Sequence, residues 1–271
     1  MSTAVARKHG TTGTATGTTT RAGRLGALGR AELTLFVRNR TMLFMALLMP
    51  VGMILSTRVS LQNVDLGGTG FSIAEVALTG GVGMVLLLVV YMNLTSAYTA
   101  RREELVLKRL RTGEVSDPEI LAGTALPAAS LALAQCVLLV AAGVVFLDVS
   151  APQRPELLVL GVLAGTGLMT VLAAASAGFT RTVESAQITT LPMLLVSAMG
   201  SGLFIPLEAL PDKVASVCEL LPMTGIVTLV RTGWLGDAVT GDLVSAGLNA
   251  LAWTVLAVFA VRKWFRWEPR R

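Results

Sequence analysis

Chemistry needs acids, bases, nucleophiles or metal ligands held close together, and this 271-residue sequence is poor in them. The single histidine, His9, sits in a polar stretch rich in Thr and Gly, and the two cysteines, Cys136 and Cys218, are far apart. With no CxxC and no His/Cys cluster, the spacing offers no metal-ligand set. The same shortage excludes a Ser-His-Asp triad or a histidine acid–base centre. No G-x-x-x-x-G-K-[ST] occurs, so nucleotide phosphates cannot be cradled by that loop. The sequence therefore implies no catalytic residue, no metal and no cofactor bound by the chain itself. What remains is one charged stretch between two long apolar ones, Arg101 to Gly123. Its first half reads as a short amphipathic helix, Arg101 to Arg111. Glu103, Glu104, Lys108 and Arg109 supply charge, Leu107 and Leu110 share a face at i,i+3, and Glu104 precedes Lys108 in the favourable i,i+4 order. The chemistry such a pattern can do is recognition of a partner protein. The plain alternative is a solvated loop that only reverses the chain.

The surrounding elements must hold that stretch in place. Thr112-Gly113 should end its helix, and Ser116-x-x-Glu119 with Pro118 is a capping box that starts the next one. Hydrophobic residues make up 53% of the chain, charged residues 14%, and the mean hydropathy is +0.70. A soluble domain carries about 25% charged residues, so the composition implies an all-α integral membrane protein.

Residues 1–23, rich in Thr, Gly and Ala, read as a disordered tail without the apolar centre of a signal peptide. Residues 24–40 read as an interfacial amphipathic helix, with Leu25, Leu28, Leu35 and Phe36 on one arc and Arg30, Thr34 and Arg38 opposite. Glu32 falls inside the apolar arc and either snorkels to water or pairs with a cation. Six spans follow within residues 41–262: about 41–57 (interrupted by Pro50), 72–99, 119–147 (with Pro127), 157–179, 186–204 (with Pro192) and 243–261. Gly80, Gly81 and Gly83 in the second span should let another helix approach closely. Between the last two spans, residues 206–242 contain two apolar segments, about 214–221 and 225–235, bounded by Pro211, Pro222 and Gly236. Each is too short to cross about 30 Å of hydrocarbon. Such helices must be shielded by protein or line a wet cavity, so a re-entrant helical hairpin is predicted. Two surface helices in a plain external loop are the alternative. Residues 263–271 form a basic and aromatic tail.

Lysines and arginines set the orientation. With both termini cytoplasmic, 18 of them fall inside and 4 outside, which predicts six spans and places the loop 100–119 in the cytoplasm. The basic ends suit anionic lipid rather than nucleic acid. No span carries an acid near its middle, as a proton-coupled carrier would need. The chain has no visible energy source, yet it presents a helix and a turn to the cytoplasm.

At this point the sequence resembles the ABC-2-type transporter permeases related to daunorubicin-resistance exporters. In that family the first cytoplasmic loop reads roughly Glu-Arg-Glu-x-Gly-Thr-Leu-x-x-Leu, then Pro-Val-Ser and an Ile-Leu-x-Gly helix start. Here Arg102-Glu103-Glu104-Leu105-Val106-Leu107-Lys108-Arg109-Leu110 matches the first part, and Val115-Ser116 with Ile120-Leu121-Ala122-Gly123 matches the second. Ser201 to Pro211 and Leu221-Pro222-Met223-Thr224 match a second family pattern, Gly-x-x-x-Pro-x-x-x-Leu-Pro followed by Leu-Pro or Asn-Pro. The likeness covers about residues 24–266. Leu105 and Val106 replace the usual Gly-Thr, and Gly113-Glu114 replaces the usual residues before Val-Ser.

The resemblance implies a membrane-spanning permease subunit of an ATP-driven exporter, in the cell membrane. Its expected partners are two copies of a separate ABC ATPase, which would hold ATP and Mg, and a second permease in a homodimer or heterodimer. Arg101 to Arg111 would be the coupling helix, with Glu103, Glu104, Leu107, Lys108, Arg109 and Leu110 as contacts. The substrate path would be lined by the first, second and fifth spans. Met42, Met45, Met49, Met53, Met84, Met92, Met193 and Met199 are candidates there, because flexible thioethers adapt to varied apolar ligands, and Glu75 is a candidate contact for a cationic group. Methionine in a span otherwise fills a core or faces lipid. With no large external domain, an amphipathic small molecule such as a drug or antibiotic is the expected cargo. Two other readings share the architecture: an ATPase-independent secondary transporter, sensitive to Glu75 or Asp148, and a membrane sensor or immunity protein that binds without transporting.

Overall fold

The computed structural model describes Thr34, Gly52, residues 72–111, 116–147, 149–236 and 240–265, and Trp267. The predicted tail 1–23, the interfacial helix 24–40 and the first span lie outside the described residues, apart from Thr34 and Gly52. The regular elements among them are all helical, in the order α1 (Ile73–Val85), a π-helical segment (Leu86–Met92), α2 (Asn93–Glu103), α3 (Val106–Arg111), α4 (Asp117–Phe146), α5 (Pro155–Phe179), α6 (Val183–Gly200), a 3-10 turn (Leu207–Ala209), α7 (Asp212–Cys218), α8 (Thr224–Leu235) and α9 (Thr240–Trp264). Among them four helices are long and apolar enough to cross a membrane: Ile73–Glu103, Asp117–Phe146, Pro155–Phe179 and Thr240–Trp264. The expected fifth span is the 18-residue α6, which stops at Gly200 and is diluted by Glu184, Gln187 and two threonines. At 1.5 Å per residue it reaches about 27 Å, just short of the hydrocarbon thickness.

Local capping chemistry starts the helices, and α6 begins at Val183, before the expected 186. Ser72 and Glu75 form a reciprocal capping box at α1, with Ser72 N–H donating to Glu75 Oε2 (3.0 Å) and Glu75 N–H to Ser72 Oγ (3.2 Å). At α4 the Ser116 N–H and hydroxyl both donate to Glu119 Oε2, at 2.9 and 2.8 Å. Pro118 stands in the first turn, and Pro127 lies inside the continuous helix. A Thr182–Ser185 box opens α6.

The central rod is α1, the π segment and α2, one continuous span from Ile73 to Glu103 and the most enclosed of the four. Within it Leu86, Leu87, Val90, Tyr91, Leu94 and Tyr98 are all buried. At its middle the Asn93 N–H reaches back five residues to Leu88 O, the widened ladder of a π turn. Around that point α4, α5 and α6 all pack. The helices α8 and α9 also pack on α5, and α8 reaches α1 of the rod. Exposed Leu, Val and Phe on α4, α5, α6 and α9 form the apolar outer faces.

Glycines set the close approaches, though not the ones expected. A methyl group at Gly80 would lie 2.0 Å from Leu203 O, so the glycine face of α1 receives the chain that follows α6 rather than another helix. Gly161 and Gly165 of α5 receive Val230, Leu229 and Ile226 of α8. In turn Gly225 of α8 faces Ala246 O of α9, and Gly233 faces the Leu158 backbone of α5.

The predicted re-entrant piece is a short exposed helix, α7, and a short buried one, α8. Ten of the twelve α8 residues are buried. A helix of twelve residues spans about 18 Å, too little to cross a membrane, and α8 is enclosed by protein. The turn is tied by the Thr224 hydroxyl donating to Cys218 O (2.6 Å). Gly236, in the left-handed conformation (φ 82°), ends α8. Two orphan carbonyls there, Trp234 O and Gly233 O, accept from the Gln153 and Arg154 N–H groups at 3.1 and 2.9 Å.

Candidate functional site

The charged stretch singled out by its composition sits where α2 ends. The expected single helix from Arg101 to Arg111 is instead two helices joined at Leu105, so Glu104 and Lys108 do not share one. Glu104 closes α2, its N–H donating to Ala100 O (2.9 Å), and Leu105 then takes φ 59°. That left-handed backbone costs a non-glycine residue about 1–2 kcal/mol, and it falls where the resembled family carries Gly. Substitution of that Gly by Leu keeps the turn and puts an apolar side chain, 39% exposed, at its tip.

The short helix α3 leaves this turn with one face inward. Leu107 is fully buried, whereas Glu103, Glu104, Lys108, Arg109 and Leu110 are exposed. Five of the six expected contacts are thus exposed, and the sixth, Leu107, is buried. At the far end Arg111 Nε meets Asp117 Oδ1 at 3.1 Å, and its guanidinium lies 4.9 Å from the Trp267 ring centre. Residues 112–115, including the expected Thr112-Gly113 break, lie outside the described residues.

The base of α3 is anchored more firmly than its composition suggests. Arg102 is 1% exposed, and its guanidinium donates to Ala177 O (2.7 Å), Thr180 O (2.5 Å) and Arg181 O (3.4 Å) at the α5–α6 corner. A cation there satisfies helix-terminal carbonyls and opposes the negative end of the α5 dipole. Neighbouring Arg101 donates to Thr124 Oγ1 (3.1 Å), and the Tyr98 hydroxyl donates to Leu121 O (2.9 Å), both on α4. Tyr98 also meets the Phe265 ring edge-on. The α2–α3 turn, the α5–α6 corner and the end of α9 therefore gather at one end of the bundle. The 153–154 loop and the end of α8 meet away from it.

A second feature lies beside the hairpin. A half-open cleft of about 920 Å³ runs between the 3-10 turn, α7, α8 and α9. Leu220, Trp253 and Leu256 give it apolar walls, and Glu208, Asp212, Glu219, Asp242 and Arg231 give it charge. Its wall is stitched by the Asn249 amide donating to Glu219 O (2.9 Å) and the Trp253 indole N–H donating to Leu220 O (2.8 Å). Arg231, within the apolar segment 225–235, is buried there. It donates to Gly202 O (2.5 Å) and lies 3.8 Å from Glu208.

The candidate path residues are scattered. Met84, Met92 and Met193 are half-buried against the core, and Met199 is 76% exposed on α6. Glu75 is engaged as the α1 cap. Met42, Met45, Met49 and Met53, like Asp148, lie outside the described residues. Sequence reasoning did not single out Arg102, although it stands in the quoted motif, nor Asn249 and Trp253.

A helical membrane bundle with a charged, exposed short helix between two of its spans and an enclosed half-length helix before its last one belongs to the class of polytopic transport subunits. Residues 24–235 match the family model described as ABC-2 type transporter. The chain belongs to that family. It is a multi-pass membrane permease component of an ABC transporter and not itself an enzyme, since ATP hydrolysis in such transporters resides in a separate ATPase subunit. Comparison with curated proteins gave no match.

Proposed function

We propose that this permease exports an amphipathic small molecule, driven by a separate ABC ATPase that docks on α3. The observation that carries the reading is the exposed charge around the α2–α3 turn, Glu103 and Glu104 before it and Lys108 and Arg109 with Leu110 on α3, beside the buried Leu107. A solvated loop would need no such anchor. Two ATPase copies would bind a pair of permeases, identical or similar, and would carry the ATP and Mg. Nucleotide-driven closure of the ATPases would then displace both α3 helices and reshape the space between the permeases. Both termini and α3 face the cytoplasm in this reading, supported by the excess of Lys and Arg in those segments. The cleft beside α8, apolar with a few charged groups, suits an amphipathic cargo of drug or antibiotic type better than a large polymer.

The test is purification from native membranes in gentle detergent, followed by an ATPase assay. A nucleotide-binding protein should co-purify with the wild-type chain, and Glu104→Arg should weaken its retention about tenfold by reversing one charge at the interface. Recovery of the chain alone, without ATPase activity, would remove the coupled-exporter reading.

A further inference from the structure

Arg102 does more than the docking surface requires. We infer that it is the positioning residue that carries displacement of α3 into the α5–α6 corner, and through it into α6. This rests on the reading of α3 as an ATPase dock.

Three observations lead there. First, the contact is made by a fork on carbonyls: Arg102 is 1% exposed and bonds Ala177 O, Thr180 O and Arg181 O across 75 to 79 residues of sequence. The planar guanidinium resists rotation in a way that a single hydrogen bond or an apolar contact does not. Second, no slack separates this fork from the dock. The Leu105 turn begins three residues later, its N–H donating to Arg102 O (3.1 Å), and Leu107 pins α3 into the body. A push on α3 therefore reaches Arg102 before anything yields.

Third, the elements that receive the push differ in how tightly they are held. Through Tyr98 and Arg101 the end of α2 also grips α4. The helix α5 is packed on α8, α9 and the central rod, with eleven buried residues. By contrast α6 buries only Ala186, Thr190, Ser197 and Ala198 of its 18 residues, and among the described residues it packs chiefly on α2 and the π segment. It begins three residues after Thr180, where the fork holds the chain. The compliant partner is α6, so the corner moves it as a lever moves its free arm. At the opposite end of α3, Arg111 bonds Asp117 and covers Trp267, which keeps α3 from swinging free.

The experiment uses the full permease–ATPase complex in lipid nanodiscs, with hydrogen exchange followed by mass spectrometry before and after trapping with ATP and vanadate. In the wild type, segments 104–111 and 183–190 should both change their exchange on trapping. In Arg102→Met, which keeps the bulk but not the donors, 104–111 should respond as before while the 183–190 response falls about fivefold, within the range by which one link modulates coupling. Arg102→Lys, with its charge but no fork, should restore part of it. An unchanged 183–190 response in Arg102→Met alongside a normal 104–111 response overturns the inference. If Arg102→Met is not recovered from membranes, Arg102→Lys decides: a full wild-type response at 183–190 overturns it, and a reduced one supports it. Absence of any response at 104–111 in the wild type would instead strike the docking reading, which distinguishes the two failures.

Discussion

At Leu105 the chain accepts a strained backbone to place an exposed leucine beside the charged face of α3. Two effects of one substitution should therefore separate. Leu105→Gly relieves the left-handed strain, and thermal melts of the purified permease should show it as stable as the wild type or more so, by up to about 1 kcal/mol. Retention of the ATPase should fall in the same variant if that side chain touches the partner. Leu105→Ile should lower stability by about 1 kcal/mol, because β-branching is least tolerated at positive φ. Residues with local partners were legible in the sequence: Ser116 and Glu119 announce their capping box over three positions. Arg102 was not, because its acceptors are backbone carbonyls more than seventy residues away and carry no sequence signature. The break at Leu105 was hidden for a related reason. Leucine is no turn residue, and the only hint was the Gly that the resembled family carries there.

Among elements, the contacts of α8 decide whether the hairpin holds. Gly233→Ala would bring a methyl group within 2.4 Å of Leu158 N and 2.8 Å of its Cα, backbone atoms that cannot turn aside. A loss of about 1–3 kcal/mol is expected, measured as a lower melting midpoint in detergent. Gly167→Ala on α5 is the control: nothing lies within 4 Å of the added methyl, and helix propensity predicts a gain of up to about 1 kcal/mol. The shortness of α7 and α8 and their proline and glycine boundaries were readable from apolar run lengths. What packs on them was not. Gly80, Gly81 and Gly83 signalled a close approach, yet nothing in their spacing told that Leu203, an irregular segment, fills it. Likewise the 18 residues of α6 end at Gly200, before the turn at Gly202, although the apolar run continues to Ile205.

For the molecule as a whole, the charge asymmetry makes a prediction about sidedness. The two native cysteines are buried, so single cysteines introduced elsewhere dominate labelling by a membrane-impermeant maleimide. In intact cells Asp212→Cys on α7 should label and Glu103→Cys should not; in inverted vesicles the pattern should reverse. Labelling of both in intact cells would contradict the proposed orientation. Composition fixes the class of such a chain because few soluble folds tolerate so little charge, and the ends of its long helices follow from where charge resumes. The meeting of the α2–α3 turn, the α5–α6 corner and the α9 terminus at one end follows from topology. That is why local patterns pointed to the charged stretch but not to its supports.

The π segment in the central rod has a consequence for the length of the gene product. One π turn holds an extra residue relative to an α-helix, so Leu86–Met92 can lose a residue and close into ordinary helix. Deleting one residue from α1 or α2 instead turns one half of the rod against the other by about 100°, which would carry α3 out of phase with the bundle. A deletion scan across residues 76–100, scored by recovery of folded protein, should therefore find its tolerated positions clustered at 86–92 and its failures on either side.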